Sequence, residues 1–224
     1  VNGAPVLFPY ADSVPYHLYW KVLNAKHHGV PQNRERVFLI GIRDEKDNNF
    51  SFPAEEHLTK RLKDVLESSV DEKYFLSEKL LTWIVNHREK RGSSNSFPAN
   101  LLKESACIPA VYGKNSAESI YINSATSKGY ETATERNSIN FSVPNSETRR
   151  GRVGKGVAQT LDTACNQVIL NNYQIRRLTP RECFRLMDFP DTFTWPVSDS
   201  QAYKQAGNSI VVNVLYKILK NLSL

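Results

Sequence analysis

Cysteine is scarce in this 224-residue chain, which holds only Cys107, Cys165 and Cys183. Three cysteines do not build a disulfide scaffold, and they fit a reducing compartment. They do not make a zinc site either. Neither Cys165 nor Cys183 has a second cysteine two or three positions away, and His27 and His28 are adjacent, so on a regular element they point different ways. No apolar run approaches the ~18 residues that a membrane span needs. The chain opens on Val1 without a basic-then-apolar leader. No internal repeat is present, and its glycines lack the rest of a GxGxxG or Walker pattern, which argues against a nucleotide-binding reading of them.

What is present is globular. Forty per cent of residues are hydrophobic and 23% are charged, which excludes wholesale disorder. The length suits one ordinary domain with a sizeable core, or two small ones. The net charge is +6. It is unevenly placed. Between Arg149 and Arg185 stand eight basic residues (Arg149, Arg150, Arg152, Lys155, Arg176, Arg177, Arg181, Arg185) against two acids, Asp162 and Glu182. A polyanion would meet this one segment, or the segment is a solvated face that keeps the protein soluble. Charge alone leaves both open.

The stretch before it is polar without being charged. From Ser93 to Thr148, 22 of 56 residues are Ser, Thr or Asn, which predicts loops and short irregular strands. The ends are more regular. Val37-Phe38-Leu39-Ile40-Gly41-Ile42 reads as a buried strand, and Tyr16 to Leu23 as another. Asn24 is placed to cap one turn before Gly29 and Pro31 stop it. Helical apolar spacing marks Leu62 to Leu66 and Ser77 to His87. Ile210, Val211, Val214, Leu215, Ile218, Leu219 and Leu222 predict a final amphipathic helix capped by Asn208 or Ser209. Thr179-Pro180-Arg181-Glu182 is a capping box with Pro at the first helical position. The helix it starts should pass Phe184 and Met187 and end before Pro190, with Arg181 and Arg185 on one face.

Three segments carry a family resemblance. They are Gly29-Val30-Pro31-Gln32-Asn33-Arg34-Glu35-Arg36-Val37-Phe38-Leu39-Ile40-Gly41, Arg177-Leu178-Thr179-Pro180-Arg181-Glu182-Cys183-Phe184-Arg185-Leu186-Met187-Asp188-Phe189-Pro190, and Gln201-Ala202-Tyr203-Lys204-Gln205-Ala206-Gly207-Asn208-Ser209-Ile210-Val211-Val212. In this order, with a polar variable stretch between the first two, they resemble the last three blocks of the cytosine-C5 DNA methyltransferases, including bacterial enzymes of the HhaI type. Val65-Leu66 and Lys73-Tyr74-Phe75-Leu76-Ser77 also look like that family's approach to its recognition region.

The resemblance implies an α/β fold. Residues 1–61 and 201–224 would be C-terminal pieces of a Rossmann-like, S-adenosylmethionine-dependent methyltransferase domain. Residues 62–200 would be a small, loop- and strand-rich target-recognition domain, with Ser93 to about Asn172 reading duplex DNA. Arg149-Arg150-Gly151-Arg152-Val153-Gly154-Lys155-Gly156 would be a loop approaching phosphates and bases, or, on the plainer reading, a hairpin turn. Thr160-Leu161 looks like a short signature of such regions. Methylation at C5 needs a flipped cytosine attacked at C6. By resemblance Arg36 stabilises the negative charge that develops at O2, Arg34 assists it or grips the target strand, and Gln32 helps hold the loop or the flipped nucleotide. Asn208 and Ser209 would lie near the cofactor. Arg181 and Arg185 would organise the recognition domain, and Cys183 would be a small buried residue.

The same resemblance shows what is missing. None of the 11 prolines is followed by cysteine, so the Pro-Cys nucleophile is absent. So are a Phe-x-Gly-x-Gly cofactor loop and a Glu-Asn-Val segment. The chain therefore looks like the C-terminal part of a methyltransferase, either cut from a longer polypeptide or the second subunit of a split one. Alone it is expected to be inactive, with an incomplete S-adenosylmethionine pocket. Its expected partners are duplex DNA and the missing N-terminal half or subunit. An exposed apolar surface, or a dimer built on it, is expected where that half is absent. The setting implied is cytoplasmic, in a restriction–modification or phage-type system. Two alternatives stay open: a non-catalytic DNA-binding specificity subunit, and an RNA cytosine-5 methyltransferase.

Overall fold

The computed structural model describes residues 15–46, 49–77, 119–142, 152–171 and 174–222. The first strand, β1 (Tyr16–Asn24), is rich in aromatic residues, as expected. Asn24 then caps a 3₁₀ turn at Ala25–His28, its Oδ1 accepting from the Lys26 N–H at 3.2 Å. Gly29 ends the turn at φ +85°, a left-handed conformation that costs glycine little. A two-residue strand, β2 (Gln32–Asn33), follows, and then β3 (Glu35–Arg43) returns antiparallel to β1 from Asn24–Glu35 to Tyr16–Arg43.

Opposed residues of an antiparallel pair share a face. Tyr19, Leu23, Phe38, Ile40 and Ile42 turn into the core. Trp20, Val22, Val37 and Leu39 lie on the other face, with Val37 68% and Leu39 65% exposed. The continuous apolar run of β3 predicts burial on both sides; the strand is half-buried on one and exposed on the other. An unbroken run has no alternation to tell the faces apart, and among the described residues only the inner face meets a core. The outer face is the exposed apolar surface that was expected.

The polar middle of the chain forms short strands. β4 (Ser119–Asn123) and β5 (Tyr130–Thr134) pair antiparallel. β6 (Ser138–Asn140), β7 (Val153–Gly154), β9 (Gln167–Asn171) and β10 (Gln174–Arg177) make an antiparallel sheet in the order β10-β9-β6-β7. Between β7 and β9, β8 (Ala158–Gln159) leaves this sheet and pairs in parallel with β2. The Gly154-Lys155-Gly156 turn therefore connects two sheets. It does not close a hairpin, because β7 pairs with β6 and β8 with β2.

β9 divides two cores. Ile169 faces the larger one, with Leu62, Leu178, Phe184 and Ile218. Val168 and Leu170 face a smaller one, with Leu76, Ile122, Ala133, Ile139 and Ile175. Two-residue periodicity gives each face of β9 its own partner.

Three helices close the described chain. α1 (Pro180–Leu186) has the predicted capping box: Thr179 accepts from the Glu182 N–H, Glu182 accepts from the Thr179 N–H, and Met187 is the C-cap. α2 (Asp199–Asn208) is a helix that the apolar pattern did not reveal. α3 (Val212–Asn221) buries Val214 and Ile218. Asn208 and Ser209 do not cap it. Asn208 ends α2, Ser209 is that helix's C-cap, and Val211 precedes α3 with no side-chain cap. The Val212 N–H is satisfied from outside, by the Met187 carbonyl at 3.0 Å. The expected helix at Leu62 to Leu66 is a single 3₁₀ turn, Leu62–Val65. The one expected over Ser77 to His87 lies outside the described residues beyond Ser77, as do Arg149, Arg150 and Cys107.

α1 is also fastened by charge. Arg176 and Glu182 form a bidentate ion pair at 2.7 and 2.8 Å, with side chains 2% and 0% exposed. Arg185 pairs with Asp191, and the Arg181 guanidinium lies 4.5 Å over the Trp195 ring. The basic run is thus not one solvated or partner-facing surface. Arg176 and Arg152 are inside the protein, and Arg181 and Arg185 brace the helix locally, against Phe193, Trp195, Asp191 and Val65.

Candidate active site

The first and third sequence blocks meet at a buried guanidinium. Arg34 lies between β2 and β3 and is 4% exposed. Its Nη1 donates to the Leu161 carbonyl at 3.1 Å, and its Nη2 to the carbonyls of Gly207 at 2.8 Å and Ser209 at 3.0 Å. Its own N–H donates to Asn24 Oδ1, and its carbonyl accepts from the Ala25 N–H. Burial, and then the like charge of Arg36, lower its pKa to about 10, so it remains cationic at neutral pH.

Gln32 is fully buried beside it. Nε2 donates to the Leu186 carbonyl at 2.8 Å, and Oε1 accepts from the Leu161 N–H at 3.4 Å. Thr160 Oγ1 donates to the Asn33 carbonyl at 2.8 Å. Thr160 and Leu161 thus dock against the Gln32–Arg34 strand. Leu161 is in the core, with both of its peptide groups taken. Its side chain offers a partner no surface in this conformation.

Close approach sets the far side. A Cβ on Gly207 would stand 2.6 Å from the Asp162 carbonyl oxygen and 2.9 Å from the Thr163 nitrogen. Glycine lets the end of α2 sit on the 162–163 backbone, which puts its carbonyl within reach of Arg34.

Arg36 is placed differently. It faces Leu23 across the sheet, is exposed, and has one hydrogen bond, from Nη1 to the Glu35 carbonyl at 2.6 Å. It borders a small, half-open cleft lined by Leu23, Ala25, Arg34, Phe38, Ile210 and Val211, among others. Asn208 is exposed on the segment that Arg34 holds; Ser209 is half-buried, and its Oγ bonds to the Ile210 carbonyl at 3.1 Å. The structure therefore gathers Gln32, Arg34, Arg36, Thr160, Leu161, Asn208 and Ser209 in one neighbourhood.

Arg152 and Lys155 stand elsewhere. The Arg152 side chain is 6% exposed and reaches the Asn140 carbonyl, while its N–H donates to the Glu131 carboxylate. Lys155 is exposed at the turn between β7 and β8. Cys183 is 1% exposed with its sulfur 3.5 Å from that of Cys165, and burial pushes its thiol pKa well up. Among the described residues no group of three His, Cys, Asp or Glu could hold a metal ion, and no helix is long and apolar enough to cross a membrane.

A family model for C-5 cytosine-specific DNA methylases matches residues 6–224. The type II methyltransferase M.SsoII of Shigella sonnei is 33% identical over 214 residues, covering 94% of this chain and 45% of that protein. M.NlaX of Neisseria lactamica, another type II methyltransferase, is 32% identical over 218 residues, covering 97% of this chain and 56% of that one. The chain spans about half the length of these relatives. A prophage-encoded DNA modification methyltransferase of Escherichia coli has a similar fold, with a TM-score of 0.50 and 18% identity over 93% of this chain and 60% of that one.

Proposed function

The chain belongs to the C-5 cytosine-specific DNA methylase family, and on that premise we propose that it is the recognition-bearing, C-terminal part of a DNA cytosine-5 methyltransferase of a restriction–modification or phage-type system. The observation that carries this reading is the union of three distant segments on Arg34, which leaves Arg36 exposed at a cleft.

In this reading a cytosine leaves the duplex and enters beside Arg36. Attack by a nucleophilic cysteine on C6 sends electron density to the ring carbonyl, and the Arg36 guanidinium stabilises the charge at O2. That cysteine is not in this sequence, because no proline here precedes one. Gln32 and Arg34 are positioning residues. The side-chain amide of Gln32 and both Nη groups of Arg34 are committed to Leu161, Leu186, Gly207 and Ser209, which suits them to setting where Arg36 points. Asn208 suits one edge of the cofactor site, being exposed with no hydrogen bond from its side chain to another described residue. S-adenosylmethionine supplies the methyl group. The recognition region is centred on the small core around β4 to β10, while β1, β3, α2 and α3 belong to the catalytic domain.

The reading is tested by joining the chain to a segment that supplies Pro-Cys and the cofactor loop, then measuring transfer of labelled methyl groups to duplex DNA. Arg36→Ala should abolish transfer while leaving the fold intact. Transfer at an undiminished rate by that variant would remove Arg36 from the reaction. Preference for a tRNA over duplex DNA as acceptor would move the activity to RNA.

A further inference from the structure

Among the described residues of the basic run, Arg152, Arg176, Arg181 and Arg185 are held by partners within the protein, which turns attention to cations outside it. The structure offers some at an unexpected place. The Leu62 N–H donates to the Gly156 carbonyl at 2.8 Å, which seats the Thr59–Val65 segment on the turn that carries Lys155. Arg61 lies against the same turn: its Cδ is 3.7 Å from where a side chain on Gly156 would begin. Leu62 and Val65 are 0% and 1% exposed. In a 3₁₀ turn, residues i and i+3 share a face, so the residues between them look outward. Lys63 is accordingly exposed, as are Arg61 and Lys155.

These three cations make no ion pair with another described residue. The nearby acid, Asp64, accepts from the Arg61 backbone N–H at 2.7 Å and keeps its negative charge, so the group carries a net charge of about +2 with it included. Lys60, by contrast, is paired with Asp188 at 3.7 Å. From Gly156 the chain runs along β2 to Leu161, the residue that Arg34 holds. Five residues of extended chain span roughly 16 Å. A single nucleic-acid strand carries a phosphate about every 3.4 Å. The turn that carries Lys155 is therefore at most about five phosphate spacings from Leu161, a separation that one duplex can bridge.

We propose that Arg61 and Lys63 join Lys155 in a composite patch that grips the phosphate backbone of duplex DNA, to one side of the Arg36 cleft. Neither residue lies in the segment that the sequence assigns to DNA reading. The inference rests on the duplex-DNA reading above and extends it to the residues at the entry to the recognition domain.

The test uses the 224-residue chain and a fluorescein-labelled duplex of about 30 base pairs, with anisotropy titrations between about 50 and 200 mM KCl. Arg61→Ala and Lys63→Ala should each flatten the slope of log Kobs against log[KCl] by about 0.9, and the double variant by about twice that. Arg61→Lys should keep the slope, because charge and not shape is at work. Lys220→Ala, at an exposed position on α3, should leave it unchanged. Thermal melts establish that each variant is folded, and Arg61→Gln replaces Arg61→Ala if the latter is not. Binding by the unaltered chain with an unchanged slope in the Arg61 and Lys63 variants overturns the patch and leaves the duplex reading standing. No salt-dependent binding by the unaltered chain at the lowest salt overturns both.

Discussion

The guanidinium of Arg34 donates to the carbonyl of Gly207 across 2.8 Å, tying together residues 173 positions apart. The same group holds Leu161 and Ser209. Removing it strands three carbonyls, each costing about 1–3 kcal/mol if it stays dry. Arg34→Met should therefore lower unfolding free energy by about 2–4 kcal/mol in urea, with partial relaxation limiting the loss. Gly207→Ala should destabilise by about 1–3 kcal/mol, since the added methyl meets backbone and not a movable side chain. Wild-type midpoints for both variants would show that the clamp carries no stability.

The pair Arg176–Glu182 makes a second, separable prediction. Glu182→Gln leaves a buried guanidinium facing a neutral amide and should cost about 3–5 kcal/mol. Arg176→Met combined with Glu182→Leu should recover part of that loss, though the Thr179 and Glu67 N–H groups that Glu182 serves stay unpaired. Denaturation midpoints of the three proteins decide it. A double variant less stable than Glu182→Gln would refute the charge argument.

These two groups mark what the sequence could and could not show. The capping box at Thr179–Glu182 was legible because it is a local rule, satisfied within four residues. β1, β3 and the Asn24 turn were legible for the same reason. Arg34 could be placed near the site by resemblance, but its three carbonyl partners come from elsewhere in the chain, and no spacing reveals them. Arg176 and Arg152 looked like surface charge. Only the fold shows that one neutralises Glu182 and that the other is buried beside β6. α2 was missed although Ser198-Asp199-Ser200-Gln201 carries a capping signal: its burial rests on two alanines, a tyrosine and a glycine, which leave a weak apolar stripe. The break at Ser209–Val211 was hidden because apolar residues continue across it.

His28 gives the account a pH dependence. Its ring is fully buried and neither nitrogen has a hydrogen-bond partner among the described residues. Burial lowers its pKa below 6.5, the charge of Lys217 adds to this, and Glu56 and Glu55 oppose it. The unfolded chain therefore takes up this proton first. Stability from this group is complete above pH 6.5 and is lost as pH falls from there through the lowered folded value. The stability of His28→Leu relative to the unaltered chain should rise as pH falls from about 7.5 to about 5.5 in urea denaturation. Equal pH dependence in the two proteins would refute this assignment.

The thiols of Cys165 and Cys183 face each other inside the main core, each 1% exposed. Burial raises the Cys183 pKa, which keeps it protonated and inert. Labelling of these two by a thiol reagent should follow the unfolding rate and not the reagent concentration, read by mass spectrometry of the peptides. Fast labelling of Cys183 in the folded protein would reopen a chemical part for it.

The central claim is that this chain holds the Arg36 side of a cytosine-5 methyltransferase site and lacks its nucleophile. Transfer of labelled methyl groups from S-adenosylmethionine to duplex DNA tests it most directly, with the chain alone and with a polypeptide that supplies Pro-Cys and the cofactor loop. The account predicts no transfer by the chain alone, transfer by the combination, and none when Arg36 is replaced by alanine. Robust transfer by the 224-residue chain alone, or by the combination carrying Arg36→Ala, would contradict it.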